Sequence, residues 1–191
     1  MNIHSEDKKQ RILDATMELI AENGLHATPM SQVSKRSGVS AGTIYHYFSS
    51  KEVLINELYL EQKKALYNSA FHGYDIQSSY EERFFLMWRN VFSYLVARPV
   101  ELLFMEQCAI SPLVSAKAKE TINRYVAPLA GFVTEGIEAG CLKKMDIQLA
   151  LSFIYGSIVS TAKLQLSEML EITDEYRETA AQICWDGLKA G

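Results

Sequence analysis

Apolar residues recur three or four positions apart along most of the chain, which is the spacing of one face of an α-helix. The first such segment predicts a helix from about Ser5 to Asn23. Its repeated positions are Ile12, Leu13, Thr16, Leu19 and Ile20. Gly24 followed by Leu25 predicts the end of this helix, because glycine readily adopts the left-handed conformation of a C-terminal cap and the next apolar residue folds back on the last turn.

A second, shorter helix follows at once. Thr28 is expected to cap it, with Pro29 at its first position and its end near Ser37. Gly38 then makes the turn. Two helices joined by a short turn that contains glycine are typical of a helix-turn-helix, whose second helix enters the major groove of DNA. The alternative is a purely structural helical hairpin.

The third predicted helix is very short. Ser40 is expected to cap it, and Val39 and Ile44 to form a hydrophobic staple at its start. Gly42 is unusual here, because a glycine inside a helix costs about 1 kcal/mol relative to alanine. We interpret it as a position where another backbone comes close, which the structural hairpin does not explain.

The start of the fourth helix shows a second unusual choice. Ser49 and Glu52 predict a capping box, with Phe48 and Val53 as its staple. Lys51 then lies in the first turn, where a cation faces the positive end of the helix dipole. This is unfavourable by about 0.3 to 1 kcal/mol unless an anion such as a phosphate is nearby.

Five further helices are predicted beyond this long one, which runs from Ser50 to about Phe71. They span Ser78–Ala97, Val100–Ile110, Leu113–Ala139, Ile147–Glu168 and Thr173–Leu188. Pro128 is expected to kink or split the third of these, because proline removes a backbone hydrogen bond. The helix from Ile147 is apolar on nearly every side and must be covered all round. We therefore expect the last two helices to bind a second subunit.

The segment from Gly38 to Leu54, with its turn, short helix and following Lys51, resembles the signature of the TetR-type transcriptional regulators. The resemblance implies an all-α fold of about nine helices. It implies a three-helix DNA-binding domain in residues 1–50 and a larger helical ligand-binding and dimerisation domain in residues 51–191. It also implies a homodimer held by a four-helix bundle, and hence a palindromic operator.

Where the chain matches this family pattern, we assign DNA contacts. Those expected to bind phosphates are Thr28, His46, Tyr47 and Lys51; those expected near base edges are Ala41, Gly42, Thr43 and Tyr45, and Ser40 joins the set as the cap. The short helix carries neither Arg nor Asn, so the strongest two-bond contacts to bases are missing. Readout is then expected to rely on apolar contacts, backbone approach and DNA shape.

Charge and composition bound the function further. The net charge is −4, yet residues 23–51 contain no carboxylate and include Lys35, Arg36 and Lys51, which predicts a positive local field. The three cysteines lie far apart, as neither a disulfide framework nor a zinc site would require. We expect ordinary reduced cysteines, and no cofactor or metal.

Enzyme and membrane functions are not favoured. The chain has no nucleophile elbow, P-loop, dinucleotide fingerprint or metal-binding pair, so we expect it not to be an enzyme. It has no continuous apolar run of about 18 residues, and its polar start carries no secretory signal, so a cytoplasmic protein is expected.

The second domain is rich in aromatic residues, which predicts a sizeable, largely apolar ligand. Candidate lining residues are Trp88, Phe92, Phe104, Met105, Tyr125, Phe132 and Tyr155. Core packing predicts the same composition. The leading hypothesis is a repressor that such a ligand releases from its operator. The alternative is a DNA-bound structural or adaptor protein that binds a protein partner. Glu101, Glu106 and Glu135 would favour a cationic ligand if they pointed inward, and are otherwise surface carboxylates.

Overall fold

The computed structural model describes residues 3–191, with side chains from residue 7 onward. Met1 and Asn2, which belong to the polar start used in the prediction about a secretory signal, lie outside the described residues. The described chain forms nine helices, α1 to α9. In order they are Ile3–Asn23, Met30–Ser37, Ala41–Tyr47, Lys51–Ala70, Tyr80–Val96, Pro99–Ala109, Ala116–Glu138, Ile147–Leu166 and Asp174–Leu188. The predicted all-α fold is confirmed.

The chain divides into two compact units. The first comprises residues up to Lys63 together with Val100–Ile122, and the second comprises Lys64–Pro99 together with Asn123–Gly191. The first unit thus holds α1 to α3, most of α4, and α6 with the start of α7. This grouping follows packing, whereas the predicted division after residue 50 is a division by function and stays a prediction.

The first unit is built around the apolar faces of α1 to α4. The buried side chains there include Ile12, Ile20, Val33, Ile44, Phe48, Leu54 and Leu58. Gly24 and Gly38 both have positive φ, 86° and 65°, which confirms them as the glycines that end α1 and α2.

Two predicted caps are wrong by one residue. Pro29, not Thr28, is the N-cap of α2, and it makes no side-chain capping bond. At the start of α4 the Ser50 hydroxyl accepts from the Val53 N–H at 3.2 Å, so Ser50 caps the helix and no capping box begins at Ser49. The proposed staple is also wrong, because Val53 is 43% exposed.

The second unit packs α5 against α8 and α9. Its core includes Phe84, Trp88, Phe92, Leu95, Ile158, Ala162 and Trp185. A capping box that the sequence analysis missed starts α5, where Ser79 and Glu82 bond to each other's backbone N–H. Gly136 on α7 faces the ring of Tyr80 so closely that a Cβ there would collide with it.

Helix α7 continues through Pro128, so the expected split does not occur. Helix α8 is, within the described part of the chain, the one helix long and apolar enough to cross a membrane by length and composition alone. Core helices meet the same criterion, and α8 packs against α5 and α9 through residues such as Ala150 and Ala162.

Candidate DNA-binding surface and effector domain

The turn between α2 and α3 is held by its own backbone and by α1. Arg11 Nη2 donates to the Ser37 carbonyl at 2.6 Å, and Ser34 Oγ donates to the Val39 carbonyl at 2.7 Å. A Cβ at Gly38 would lie 2.8 Å from Arg11 Nη2 and would sit at positive φ. Glycine is therefore required at this turn, as the helix-turn-helix interpretation expects.

The short helix α3 is fixed by one face and open on the other. Ser40 caps it, accepting from the Thr43 N–H at 3.3 Å, and Ile44 and Phe48 are fully buried. The opposite face exposes a set of candidate contact residues. They are Ala41, Gly42, Tyr45 and His46. The ring of Tyr45 is 52% exposed.

Gly42 has no close neighbour within the chain, because a Cβ added there would meet nothing within 4 Å. The expected close backbone approach is therefore not made by the folded chain itself. An exposed glycine on the open face of a well-capped helix leaves room for an external surface, so contact with DNA at Gly42 stays a prediction.

The remaining predicted contact residues near this face are Ser40, Thr43 and Tyr47. Thr43 Oγ1 and Ser40 Oγ are 2.9 Å apart, so the two hydroxyls share one hydrogen bond. His46 packs its ring edge-on against Tyr47, with centroids 5.9 Å apart, and Tyr47 is half-buried. These side chains thus contact one another in two pairs, Ser40 with Thr43 and His46 with Tyr47.

Thr28 is set apart from this group. It is 1% exposed, and its Oγ1 lies 3.0 Å from the Gly24 carbonyl and 3.2 Å from the Leu19 carbonyl, to which it donates. The side chain thus ties the end of α1 to the start of α2. Its geometry does not support a phosphate contact through the hydroxyl.

Lys51 has an internal partner. Its Nζ donates to the Leu25 carbonyl, and burial lowers the pKa of the ammonium group while Glu52 opposes that shift. The sequence argument that a cation here requires an anionic ligand is therefore wrong, since a carbonyl stabilises the charge. Nζ has three hydrogens and the side chain is half-buried, so a phosphate contact stays a prediction.

The positive field that the sequence predicts is weakened in the structure by carboxylates of α1. Arg36 Nη1 lies 3.1 Å from Glu18 and Nη2 lies 2.8 Å from Glu22, both on α1. Arg36 in turn lowers the pKa of Glu22, chiefly by hydrogen bonding to it. Carboxylates absent from residues 23–51 are thus supplied by the preceding helix, and Lys35 remains exposed.

The candidate ligand-lining residues fall into both units. Phe104 and Met105 are fully buried in the first unit, whereas Trp88, Phe92, Tyr125, Phe132 and Tyr155 belong to the second. In the second unit Trp88 stacks on Phe92, with centroids 5.5 Å apart, and its Nε1 donates to Ser157 Oγ on α8 at 3.0 Å.

A second aromatic cluster surrounds Phe132. Its ring stacks on Tyr80 at 4.3 Å, and the Tyr80 hydroxyl donates to the Phe132 carbonyl at 3.0 Å. Beside them lies Arg83, which is 6% exposed and pairs with Glu135. Sequence reasoning missed Arg83. The available signal was a charge within the apolar stripe of α5, three residues after Tyr80 and four before Met87.

A buried lysine, also missed, lies in the first unit. Lys63 is 6% exposed and its Nζ lies 5.5 Å from the ring centroid of Tyr59. Burial lowers its pKa to about 8, while nearby Glu106 and Cys108 oppose that shift. Burial likewise raises the pKa of the Cys108 thiol to about 12, so this cysteine is protonated. Glu106 and Glu135 thus each have a cation nearby, which weakens the case for a cationic ligand.

Two family descriptions match the chain. Residues 12–58 match bacterial regulatory proteins of the tetR family, and residues 79–189 match the tetracyclin repressor-like C-terminal domain. The first match covers the second half of α1, α2, α3 and the start of α4, and the second covers α5 to α9.

Similar proteins extend these matches over the chain. The fatty acid metabolism regulator protein of Bacillus subtilis is 32% identical over 158 residues, which is 81% of each chain. The structure of FadR from Bacillus subtilis in complex with stearoyl-CoA has a TM-score of 0.74 at 26% identity, covering 93% of this chain and 98% of that one. A TetR family transcription regulator from Marinobacter aquaeolei VT8 has a TM-score of 0.93 at 23% identity and full coverage of both chains, a likeness of fold.

Proposed function

Because the chain belongs to the TetR family of bacterial transcriptional regulators, we propose that it represses transcription and leaves its operator when a largely apolar small molecule binds its C-terminal domain. The proposal is carried by the two aromatic clusters of the second unit, around Trp88 and around Phe132, in a chain that is 32% identical to a fatty acid metabolism regulator. The family is one of regulators rather than enzymes, as the sequence predicts. We expect the protein to act in the cytoplasm, where the chromosome lies.

The effector class that fits best is a long-chain acyl thioester. A similar solved protein, FadR from Bacillus subtilis, was crystallised with stearoyl-CoA. In this chain Trp88, Phe92 and Phe132 are buried in the second unit, and such apolar side chains are the kind of lining that an acyl chain requires. Arg83 neutralises the charge of Glu135, so the carboxylate does not favour a cationic ligand beside Phe132.

The DNA contacts we propose lie on α3 and at the start of α4. Ala41, Gly42 and Tyr45 occupy the open face that would meet base edges, and His46 and Tyr47 lie where phosphates would pass. Lys51 can contribute one phosphate contact while it remains bonded to Leu25. Without Arg or Asn on α3, DNA shape is expected to supply part of the specificity.

The protein is proposed to be a homodimer through α8 and α9. Both helices expose large apolar side chains that nothing in one chain covers: Leu149 and Phe153 on α8, Tyr176 and Ile183 on α9. Gly156 and Ser160, three and seven residues after Phe153, are also exposed on α8, and their small size permits close helix packing. A symmetric dimer carries two reading heads and favours a palindromic operator.

The test is selection of genomic DNA fragments by the purified protein, followed by titration with acyl-CoA thioesters of increasing chain length. We expect enrichment of a palindromic site and release from it by long-chain acyl-CoA, with free CoA as the matched control. A site that is bound but insensitive to every acyl chain length, together with capture of a protein partner, would favour the adaptor instead.

A further inference from the structure

Gln107 on α6 is bonded to the end of the first helix. Its Oε1 accepts from the Leu25 N–H at 3.2 Å, and its Nε2 donates to the Ile20 carbonyl at 3.2 Å. A single amide side chain therefore satisfies one donor and one acceptor at the α1 to α2 connection. The glutamine amide offers a donor nitrogen and a separate acceptor oxygen in one neutral group, and asparagine offers the same pair only on a shorter side chain.

Asn56 on α4 makes a second connection, in which a side chain of the N-terminal part bonds to the backbone that follows α6. Its Nδ2 donates to the Leu113 carbonyl at 2.7 Å, and its Oδ1 accepts from the Ser115 N–H at 2.9 Å. These partners lie in the segment that follows α6. The C-terminal part of α6 and the segment that follows it are thus each bonded to residues of the N-terminal part.

Leu25 is held on both of its main-chain groups, because Lys51 Nζ bonds to the carbonyl while Gln107 bonds to the N–H. The side chains beside Gln107 on α6, Phe104, Met105 and Cys108, are fully buried in the same unit. A shift of α6 therefore requires either the loss of these bonds or a matching shift of the end of α1. Each bond is worth about a fivefold to tenfold change in a local equilibrium.

We infer that Gln107 and Asn56 are positioning residues for DNA binding, which make α6 and the segment to Ser115 a rigid part of the DNA-reading head and set the placement of α2 and α3 from α6. The grouping of Val100–Ile122 with the N-terminal residues in one compact unit supports this inference. That α6 also carries the effector's signal to the head rests on the proposed function.

The experiment compares the full-length protein with Gln107→Met, which keeps the side-chain length without either polar group, and with Gln107→Glu. Gln77→Met is the control, since Gln77 is exposed in the loop before α5. Three quantities are measured: the exchange rate of the Leu25 amide, affinity for the selected genomic fragment and for a random duplex, and the change in affinity caused by stearoyl-CoA.

For Gln107→Met we expect Leu25 exchange to rise about tenfold and affinity for the selected fragment to fall by about the same factor. Affinity for random duplex should change little, and the response to stearoyl-CoA should shrink. Gln107→Glu still accepts from the Leu25 N–H but places a carboxylate oxygen against the Ile20 carbonyl, so affinity for the selected fragment should fall at pH 7. It should recover as pH falls towards about 4, because a protonated carboxyl has one donor and one acceptor. Asn56→Asp should show the same loss with the same recovery.

Unchanged affinity for the selected fragment, even with faster Leu25 exchange, overturns the positioning role and leaves a purely structural bond. Absence of pH-dependent recovery in both acidic variants overturns it too, and this arm still decides if Gln107→Met does not fold. If the wild-type protein ignores stearoyl-CoA, the proposed effector fails, whereas the exchange and affinity measurements still decide the role of Gln107.

Discussion

The ammonium group of Lys51 donates a hydrogen bond to the carbonyl of Leu25, so the first residue of α4 closes the end of the turn that follows α1. The sequence alone assigns the charge of Lys51 to DNA binding. The contact with Leu25 gives the same charge a role in the free protein. It also separates two effects of removing that charge, one on stability and one on binding.

Lys51→Ala is expected to lower the free energy of unfolding by about 1 to 2 kcal/mol, since a hydrogen bond from a charged group is lost. It should also weaken binding to all DNA sequences alike and reduce the salt dependence by about one unit of slope. Denaturant unfolding and binding at several salt concentrations test this. Lys119→Ala, an exposed lysine on α7, is the control. A lower stability with an unchanged salt slope would make Lys51 purely structural.

The pair between Arg36 and Glu22 predicts a gain of DNA affinity from a single substitution. Glu22→Gln removes one of the two carboxylates that pair with Arg36 and makes the surface more positive. We expect stronger binding to random duplex and a steeper salt dependence. Glu61→Gln removes an equal charge from an exposed site on α4 and should have a smaller effect. Equal gains in both would mean that net charge alone matters.

How much the sequence could predict depends on how local each signal is. The cap at Ser40 and the glycine turns at Gly24 and Gly38 were predicted correctly, because each depends on a few neighbouring residues. The predicted cap of α4 is wrong by one residue, since Ser49 and Ser50 have the same side chain and only the structure shows that Ser50 accepts from the Val53 N–H.

Contacts between distant segments could not be predicted. Arg36 lies 14 residues from Glu22, and Gln107 lies 82 residues from Leu25, so both pairs depend on how the helices pack. Helical periodicity says which face is buried but not which other helix covers it. For the same reason Phe104 and Trp88, similar in sequence context, belong to different units.

Lys63 predicts an alkaline rise in stability. Its folded pKa of about 8 lies below the ordinary lysine value of 10.5, so between these pH values the unfolded chain binds more protons and stability increases with pH. The full effect is at most about 3 kcal/mol. Lys63→Met should be more stable than wild type near pH 7, because the buried charge is gone, and the difference should shrink between about pH 8 and 10.5.

The groups facing Lys63 are Tyr59, Glu106 and Cys108, and the thiol opposes the trend, because its raised pKa makes the folded state bind more protons above pH 9. The thiol contributes almost equally to the stability of wild type and of Lys63→Met, so the difference between the two proteins removes its contribution to first order. A difference that is constant from pH 7 to 10 would show that Lys63 is not buried as a strained cation.

The exposed apolar face of α8 and α9 predicts a dimer that single charges break. Phe153 is 66% exposed and Ile183 is 69% exposed, so Phe153→Glu or Ile183→Glu should not destabilise one chain but should place a charge in the proposed interface. Sedimentation should show a shift to monomer, with loss of operator binding. Met169→Glu alters a side chain that is 78% exposed outside the helices and should leave the dimer intact. Unchanged sedimentation of the first two variants would refute this interface.

The pair of Arg83 and Glu135 predicts strong coupling in the second unit. Arg83 Nη2 lies 2.5 Å from Glu135 Oε1, and the guanidinium, 6% exposed, also contacts the ring of Tyr80. Glu135→Gln leaves a buried cation without its counter-charge and should lower the free energy of unfolding by about 1 to 3 kcal/mol, less than a fully buried pair because Glu135 is partly exposed.

Arg83→Met replaces the cation by an apolar side chain and should cost less. Adding Glu135→Gln to Arg83→Met should then change little, so the double-mutant cycle is expected to show a coupling above about 1 kcal/mol. Additive losses in urea unfolding would mean that the two side chains contribute independently and that Arg83 is stabilised by its aromatic neighbours instead.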